Sequence, residues 1–215
     1  MRRYPFIVWA AVMGILSGPA GAQTPAMDSP ADATTEVTST VETDQTWIQM
    51  FGVRLHAATR EEMRQALRAQ GMKVVREDDR YWVDIYDAKG VLNGATQFYV
   101  GYTAAQKKLA FAEYAFANFM DSSHTELVVK MVSAKYGPSS EHVGQLAMGS
   151  YTARWRIGDG MLIQVVREWP ETSTYLKFIN PLVEAEMKAE LEQETASRKK
   201  NKLASSQTVV APALR

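Results

Sequence analysis

Between Trp47 and Ile179 the apolar positions switch between a helical and a strand period. Met63, Ala66 and Leu67 fall three and four apart, as on one side of a helix. Thr59-Arg60-Glu61-Glu62 opens that helix with a capping box, in which Thr and the Glu three positions on satisfy each other's backbone N–H groups. Gly71 supplies a left-handed stop. Alternation then takes over. Tyr81, Val83 and Ile85 share one strand face, expected to pack on the helices, and Trp82, Asp84 and Tyr86 share the other. Asp87-Ala88-Lys89-Gly90 is a turn signal. Phe98–Tyr102 and Leu109–Phe116 read as the next two strands, joined by a polar stretch over 104–108.

The same order then restarts. Ser123-His124-Thr125-Glu126 reads as a second capping box; Leu127, Val128, Met131 and Val132 form the apolar stripe, and Gly137-Pro138 stops it. Tyr151, Ala153, Trp155 and Ile157 alternate with Thr152, Arg154 and Arg156. Gly158-Asp159-Gly160 turns the chain into Met161, Ile163 and Val165, and Pro170–Ser173 turns it again before Tyr175–Ile179. Thr59 and Ser123 lie 64 residues apart and Gly71 and Gly137 lie 66 apart. The near-constant offset predicts a duplication. The expected fold is α+β: two tandem helix-plus-three-strand antiparallel units, about 51–117 and 118–180, packed as one domain over 46–180. Asn180-Pro181 opens a C-terminal helix over 181–203, with acids early (Glu184, Glu186, Glu190) and bases late (Arg198, Lys199, Lys200) to suit its dipole. Residues 204–215 read as a frayed tail.

The first residues carry an address. Arg2 and Arg3 precede an apolar run from Tyr4 to Leu16; Gly18-Pro19 and then Ala20-Gly21-Ala22 follow. These are the parts of a secretory signal peptide over 1–22, cut after Ala22. The apolar run is about 13 residues, short of the roughly 20 a membrane helix needs, so cleavage is expected over retention as an anchor. Residues 23–45 hold no aromatic and are rich in Thr, Ala, Asp and Pro, which predicts a flexible acidic linker. The expected location is the periplasm of a cell with a Gram-negative envelope.

Composition narrows the chemistry. The chain has 215 residues, 24 basic against 24 acidic side chains, and no cysteine. Thiolate metal sites, disulfides and a cysteine nucleophile are therefore excluded. Loss of Arg2 and Arg3 would leave a net charge of about −2, which offers nucleic acid nothing. His56, His124 and His142 are too far apart in sequence for a helical metal pair, and no nucleophile elbow or phosphate-binding glycine loop occurs. No catalytic residue, metal or cofactor is implied. Asp84 and Asp87, with Asp78 and Asp79 nearby, are the densest acids, and a small periplasmic hydrolase would have to use such carboxylates. The surplus is aromatic. Alternation places Trp82, Tyr86, Tyr99, Arg154 and Arg156 on the side away from the helices, and Trp, Tyr and Arg are the types enriched at binding hot spots.

Three short stretches carry a family resemblance: Phe51-Gly52-Val53 before the Thr59 cap, Lys135-Tyr136-Gly137-Pro138, and Trp155 with Asp159-Gly160 and Ile163. With the repeated helix-then-strands order, this resembles the beta-lactamase-inhibitor-like fold, shared with small outer-membrane assembly lipoproteins of the BamE/SmpA type. The chain departs from the lipoproteins in lacking an anchoring cysteine and from the inhibitors in lacking disulfides. The resemblance implies a binding role.

The expected function is an exported, non-enzymatic protein-binding module of the cell envelope. It would serve a secretion or outer-membrane assembly complex, or act as an inhibitor-type binder. Its partner would be another envelope or periplasmic protein, with at most weak membrane contact through the basic run at 198–202. A hydrolase and a carrier of small ligands or glycans are the alternatives. Fractionation of cells expressing the full chain should recover a periplasmic protein beginning at Gln23; uncut chain in the cytoplasm would overturn the export reading.

Overall fold

The computed structural model describes residues 47–117, 122–146, 148–170 and 173–208. The signal segment 1–22 and the linker 23–45 expected from the sequence lie outside the described residues, as does the tail beyond 208. A two-residue ribbon, β1 (Gln49–Met50) with β2 (Val53–Arg54), leads through a 3₁₀ turn into α1 (Arg60–Ala69). Four strands follow: β3 (Lys73–Arg76), β4 (Val83–Asp87), β5 (Ala95–Tyr102) and β6 (Leu109–Phe116). Then come α2 (Ser123–Tyr136) and four more, β7 (Glu141–Gln145), β8 (Met148–Arg156), β9 (Leu162–Arg167) and β10 (Thr174–Ile179). The helix α3 (Pro181–Thr208) closes the described chain.

The fold is α+β, as expected. The eight strands form one antiparallel sheet in the order β3-β4-β5-β6-β10-β9-β8-β7. Each half runs outside-in, and the last strands of the two halves pair antiparallel at the centre, Glu113 opposite Lys177. α1 and α2 are each followed by four strands, the three expected and one more. The added strands, β3 and β7, are the two edges of the sheet, and each carries a register shift. Bulges and flanking charges such as Lys73, Arg76 and Glu141 blunt the edges against pairing with other chains.

Local signals explain most boundaries. Thr59 accepts from the Glu62 N–H while the Glu62 carboxylate accepts from the Thr59 N–H at 2.9 Å, the expected capping box. That hydrogen bond with the Thr59 amide holds the Glu62 carboxyl below the usual range. Gly71, at φ +72°, ends the α1 segment. The second box is not formed: α2 starts at Ser123, and its cap Ser122 makes no side-chain hydrogen bond to the helix. Instead α2 is tied down by tertiary bonds. Thr125 Oγ1 and Thr174 Oγ1 lie 2.7 Å apart in the core, and Trp155 Nε1 donates to the Gly137 carbonyl at 2.9 Å. Asn180 caps α3 through Val183 N–H, and its amide donates to the His56 carbonyl at 3.1 Å. The helix reaches Thr208, so residues 204–208, expected as tail, are helical.

An apolar core lies between α1, α2 and one sheet face. Met63 and Leu67 of α1, Val128 and Val132 of α2, and Phe98, Val100, Ala112, Phe116, Ala153, Trp155, Ile163 and Val165 of the sheet are all buried in it. The second half therefore faces as its alternation predicts. The first half is inverted at β4: Asp84 and Tyr86 point inward and are fully buried, while Val83 and Ile85 point outward, half-buried. Tyr86 packs beside Phe98, ring centroids 6.5 Å apart, and Phe98 lies 4.4 Å from Tyr114.

The reason for the inversion is charge. Asp84 receives Nε and Nη2 of Arg60 at 3.1 and 2.6 Å, and Nε and Nη2 of Arg64 at 2.8 and 3.0 Å. Arg60 and Arg64 stand one helical turn apart on α1, so both guanidinium forks reach one carboxylate. Asp79 adds a second contact to each, 3.6 Å to Arg60 and 2.9 Å to Arg64. Burial alone pushes the Asp84 carboxyl up, but the Arg64 and Arg60 hydrogen bonds outweigh it and hold it below its ordinary value.

Asp84→Asn leaves two guanidinium groups without their buried counter-charge. It should destabilise the domain by about 3–5 kcal/mol in urea unfolding at pH 7. The Asp84 contribution is full above the unfolded carboxyl's pKa near 3.9 and is lost as pH falls through the lower folded value. The Asn variant should therefore lose part of the wild type's acid sensitivity, which acid titration by circular dichroism would read.

Candidate partner-binding face

The face of the sheet away from α1 and α2 carries a straight row of cross-strand neighbours. Ile85 on β4 sits opposite Tyr99 on β5, Tyr99 opposite Glu113 on β6, and Glu113 opposite Lys177 on β10. Lys177 faces Gln164 on β9, Gln164 faces Arg154 on β8, and Arg154 faces Glu141 on the edge strand β7. Residues directly opposite share a face, so seven strands contribute to one line. From Ile85 to Arg154 every member is half-buried.

Charges and rings interlock along the row. Lys177 Nζ lies 3.0 Å from Glu113 and 5.2 Å from the Tyr175 ring centroid. Arg154 Nη1 lies 2.8 Å from Glu141. Tyr99 donates its hydroxyl proton to Gln97. Partial burial, and then the negative charge of Glu113, push the Tyr99 hydroxyl up. It stays a neutral donor at any physiological pH. At one end Gly101 lies under the Phe111 ring; a Cβ there would stand 2.2 Å from that ring, so only glycine permits the approach.

The five residues expected to bind a partner are divided by the structure. Tyr99 and Arg154 lie on this row, and Arg156 is exposed at the end of β8, opposite Leu162. Tyr86 does not join them. It is in the core, its hydroxyl donating to Glu77 at 2.8 Å, because Asp84 draws that face of β4 toward α1. Trp82 precedes β4 and is half-buried against α3, donating Nε1 to Glu194 at 3.0 Å. Gln164, which alternation also turns away from Trp155 and Ile163, lies on the row, and Glu113, Tyr175 and Lys177 belong to the same face without having been singled out by the sequence. The signal was present: each alternates with buried Ala112, Tyr114, Ile163, Val165, Leu176 or Phe178.

The carboxylates named for a hydrolase do not form a pair. Asp84 is sealed inward by two arginines, while Asp87 sits on the opposite face, capping the turn through Lys89 N–H at 3.0 Å. Among the described residues no group of three or more His, Asp or Glu side chains is placed to hold a metal ion. No described helix is long and apolar enough to cross a membrane.

No protein-family model and no curated protein matches the chain. Among solved structures, a DUF4309 family protein, YjgB, from Bacillus subtilis subsp. subtilis str. 168 shows a likeness at 10% identity and a TM-score of 0.40. The match covers 64% of this chain and 89% of that one. At that level it carries no argument about this chain.

The two faces should respond differently to truncation. Tyr86→Ala should cost about 3–5 kcal/mol, as for other large buried rings. Arg154→Ala and Arg156→Ala should each stay within about 0.5 kcal/mol of wild type. Urea unfolding of the three variants reads both.

Proposed function

We propose that the chain is an exported, non-enzymatic protein-binding module of the bacterial envelope, acting in the periplasm through the open face of its sheet. The observation that carries this reading is the half-exposed row from Tyr99 to Arg154. Five strands present Tyr, Glu, Lys, Gln and Arg side by side, flanked by Tyr175, Phe111, Leu162 and Val166. Aromatic and Arg side chains supply contact area and directional hydrogen bonds at little loss of conformational freedom.

Five strands at about 4.8 Å spacing give a row roughly 19 Å wide, the scale of a specific interface. The backbone beneath it is fixed by hydrogen bonds on both sides of every inner strand, so docking orders little. Its charges are already paired across strands, Glu113 with Lys177 and Arg154 with Glu141. A partner that presents polar groups at the same spacing would exchange those pairs rather than strand them. That favours a protein surface of matched polarity over a lipid surface or a polyanion.

A pull-down from envelope extracts with the wild-type chain, read by mass spectrometry, should return a stoichiometric protein partner. Tyr99→Ala combined with Arg154→Ala should abolish that recovery while leaving the circular dichroism spectrum and the urea midpoint near wild type. Retention of the partner by the folded double variant would sink the reading.

A further inference from the structure

Past its first turns α3 has no cover from the rest of the chain. Met187 is its last buried residue. From Lys188 to Lys202 every residue is exposed or half-buried, and the helix runs on to Thr208. Residues 188–208 extend about 30 Å at about 1.5 Å per residue. A helix that is polar all round needs either many i,i+4 pairs or a second surface against it. Among the described residues α3 makes Glu184–Lys188 at 3.0 Å and Glu194–Arg198 at 2.5 Å. We infer that this length of α3 is a self-association surface, on which α3 of a second copy lies antiparallel. It is independent of the sheet face proposed above.

Charge names the occupant. From Pro181 to Glu194 the helix carries Glu184, Glu186, Glu190, Glu192 and Glu194 against the single base Lys188. From Thr195 to Thr208 it carries Arg198, Lys199, Lys200 and Lys202 and no acid. The helix dipole accounts for part of this order only. Its influence is confined to the terminal turns, which hold Glu184 at the start and no base at the end. One rod therefore bears opposite charge on its two halves. Two parallel copies would set acids on acids and bases on bases. Two antiparallel copies set each acidic half along a basic one, and the two-fold symmetry does so twice. A polyanion would meet the glutamates and a polycation the basic end, whereas a second copy matches both halves. Glu186, Glu192, Lys199 and Lys200 make no ion pair among the described residues, so their charge is open to a partner.

Shape agrees with charge. Val183, Met187, Glu190 and Glu194, spaced four, three and four, turn toward the domain. Leu182, Ala185, Ala189 and Ala196 fall on another side of the helix. All four are exposed, Leu182 to 84%. Small side chains there let a second helix approach closely. With the two-fold axis beside Gln193, Ala189 of one copy meets Ala196 of the other, and Glu186 meets Lys200. Each domain then lies on the outer side of its own helix, clear of the other.

Sedimentation velocity of the purified chain over a concentration series is the test. Wild type should dimerise with a dissociation constant of about 1–100 µM, and about 0.5 M salt should weaken it several-fold by screening. Lys199→Glu with Lys200→Glu cancels the basic half, and Glu186→Lys with Glu192→Lys cancels the acidic half. Each variant alone should lose at least about tenfold in affinity. Mixed in equal amounts they should associate more tightly than either alone, because the intact acidic half of one again meets the intact basic half of the other. None of the four side chains is buried, so the circular dichroism spectrum should stay at wild type. A wild-type chain still monomeric at about 0.5 mM overturns the inference. So does a dimer that salt strengthens, that the folded charge variants leave unchanged, or that the mixture fails to restore. Tyr99→Ala with Arg154→Ala should dimerise as wild type does, so loss of the protein partner and loss of self-association are read separately.

Discussion

The ion cluster of Asp84 with Arg60 and Arg64 governs the first half of the molecule. A carboxylate taken out of water costs several kcal/mol unless its lone pairs and charge are both answered. Here two guanidinium forks from adjacent turns of α1 answer them with four hydrogen bonds. Once Asp84 points at α1, Tyr86 two residues later must point inward too, and Val83 and Ile85 must point out. The facing of β4, and through its register that of Tyr99 on β5, follows from this one interaction. The capping box at Thr59 contributes by fixing where α1 begins, which places Arg60 and Arg64 over the strand.

The second half reaches the same architecture by different means. Its inward positions on β8 and β9 are aliphatic or aromatic except Arg167, buried at the end of β9 and donating to the Leu146 carbonyl, and its helix is held by the Thr125–Thr174 contact and the Trp155–Gly137 bond rather than by a charged cluster. The halves join through β6 and β10, so the centre of the sheet is a seam between them with Glu113 and Lys177 paired across it. That seam lies in the middle of the open face. Joining the halves there produces a continuous surface wider than either half could offer, with the edges of the described sheet far out at β3 and β7.

The C-terminal helix is tied to the first half by a different logic. Its acids, placed early to suit the helix dipole, also find backbone and indole donors on the first half: Glu190 at Ala104 and Ala105, Glu194 at Trp82. The helix is thereby one wall of a groove shared with the β5–β6 loop and the segment before β4.

The sequence by itself determined the order of the three helices and of six of the strands, the α+β class, the strands from Leu109 to Phe116 and from Tyr175 to Ile179, and the apolar inward set of β8 and β9. Alternation and capping are local, so they survive without coordinates. It missed β3 and β7: they are short, exposed on nearly every residue and carry no buried face, so no period-2 signal exists in Lys73–Arg76 or Glu141–Gln145. Ser123 looked like a capping serine, but the tertiary bonds of α2 hold it without a box. The facing of β4 was decided only in three dimensions. Asp84 reads as polar, hence outward, until Arg60 and Arg64, some twenty residues away, are known to converge on it. Charge compensation is a long-range pairing, and a pattern of hydrophobic and polar letters along one strand does not contain it.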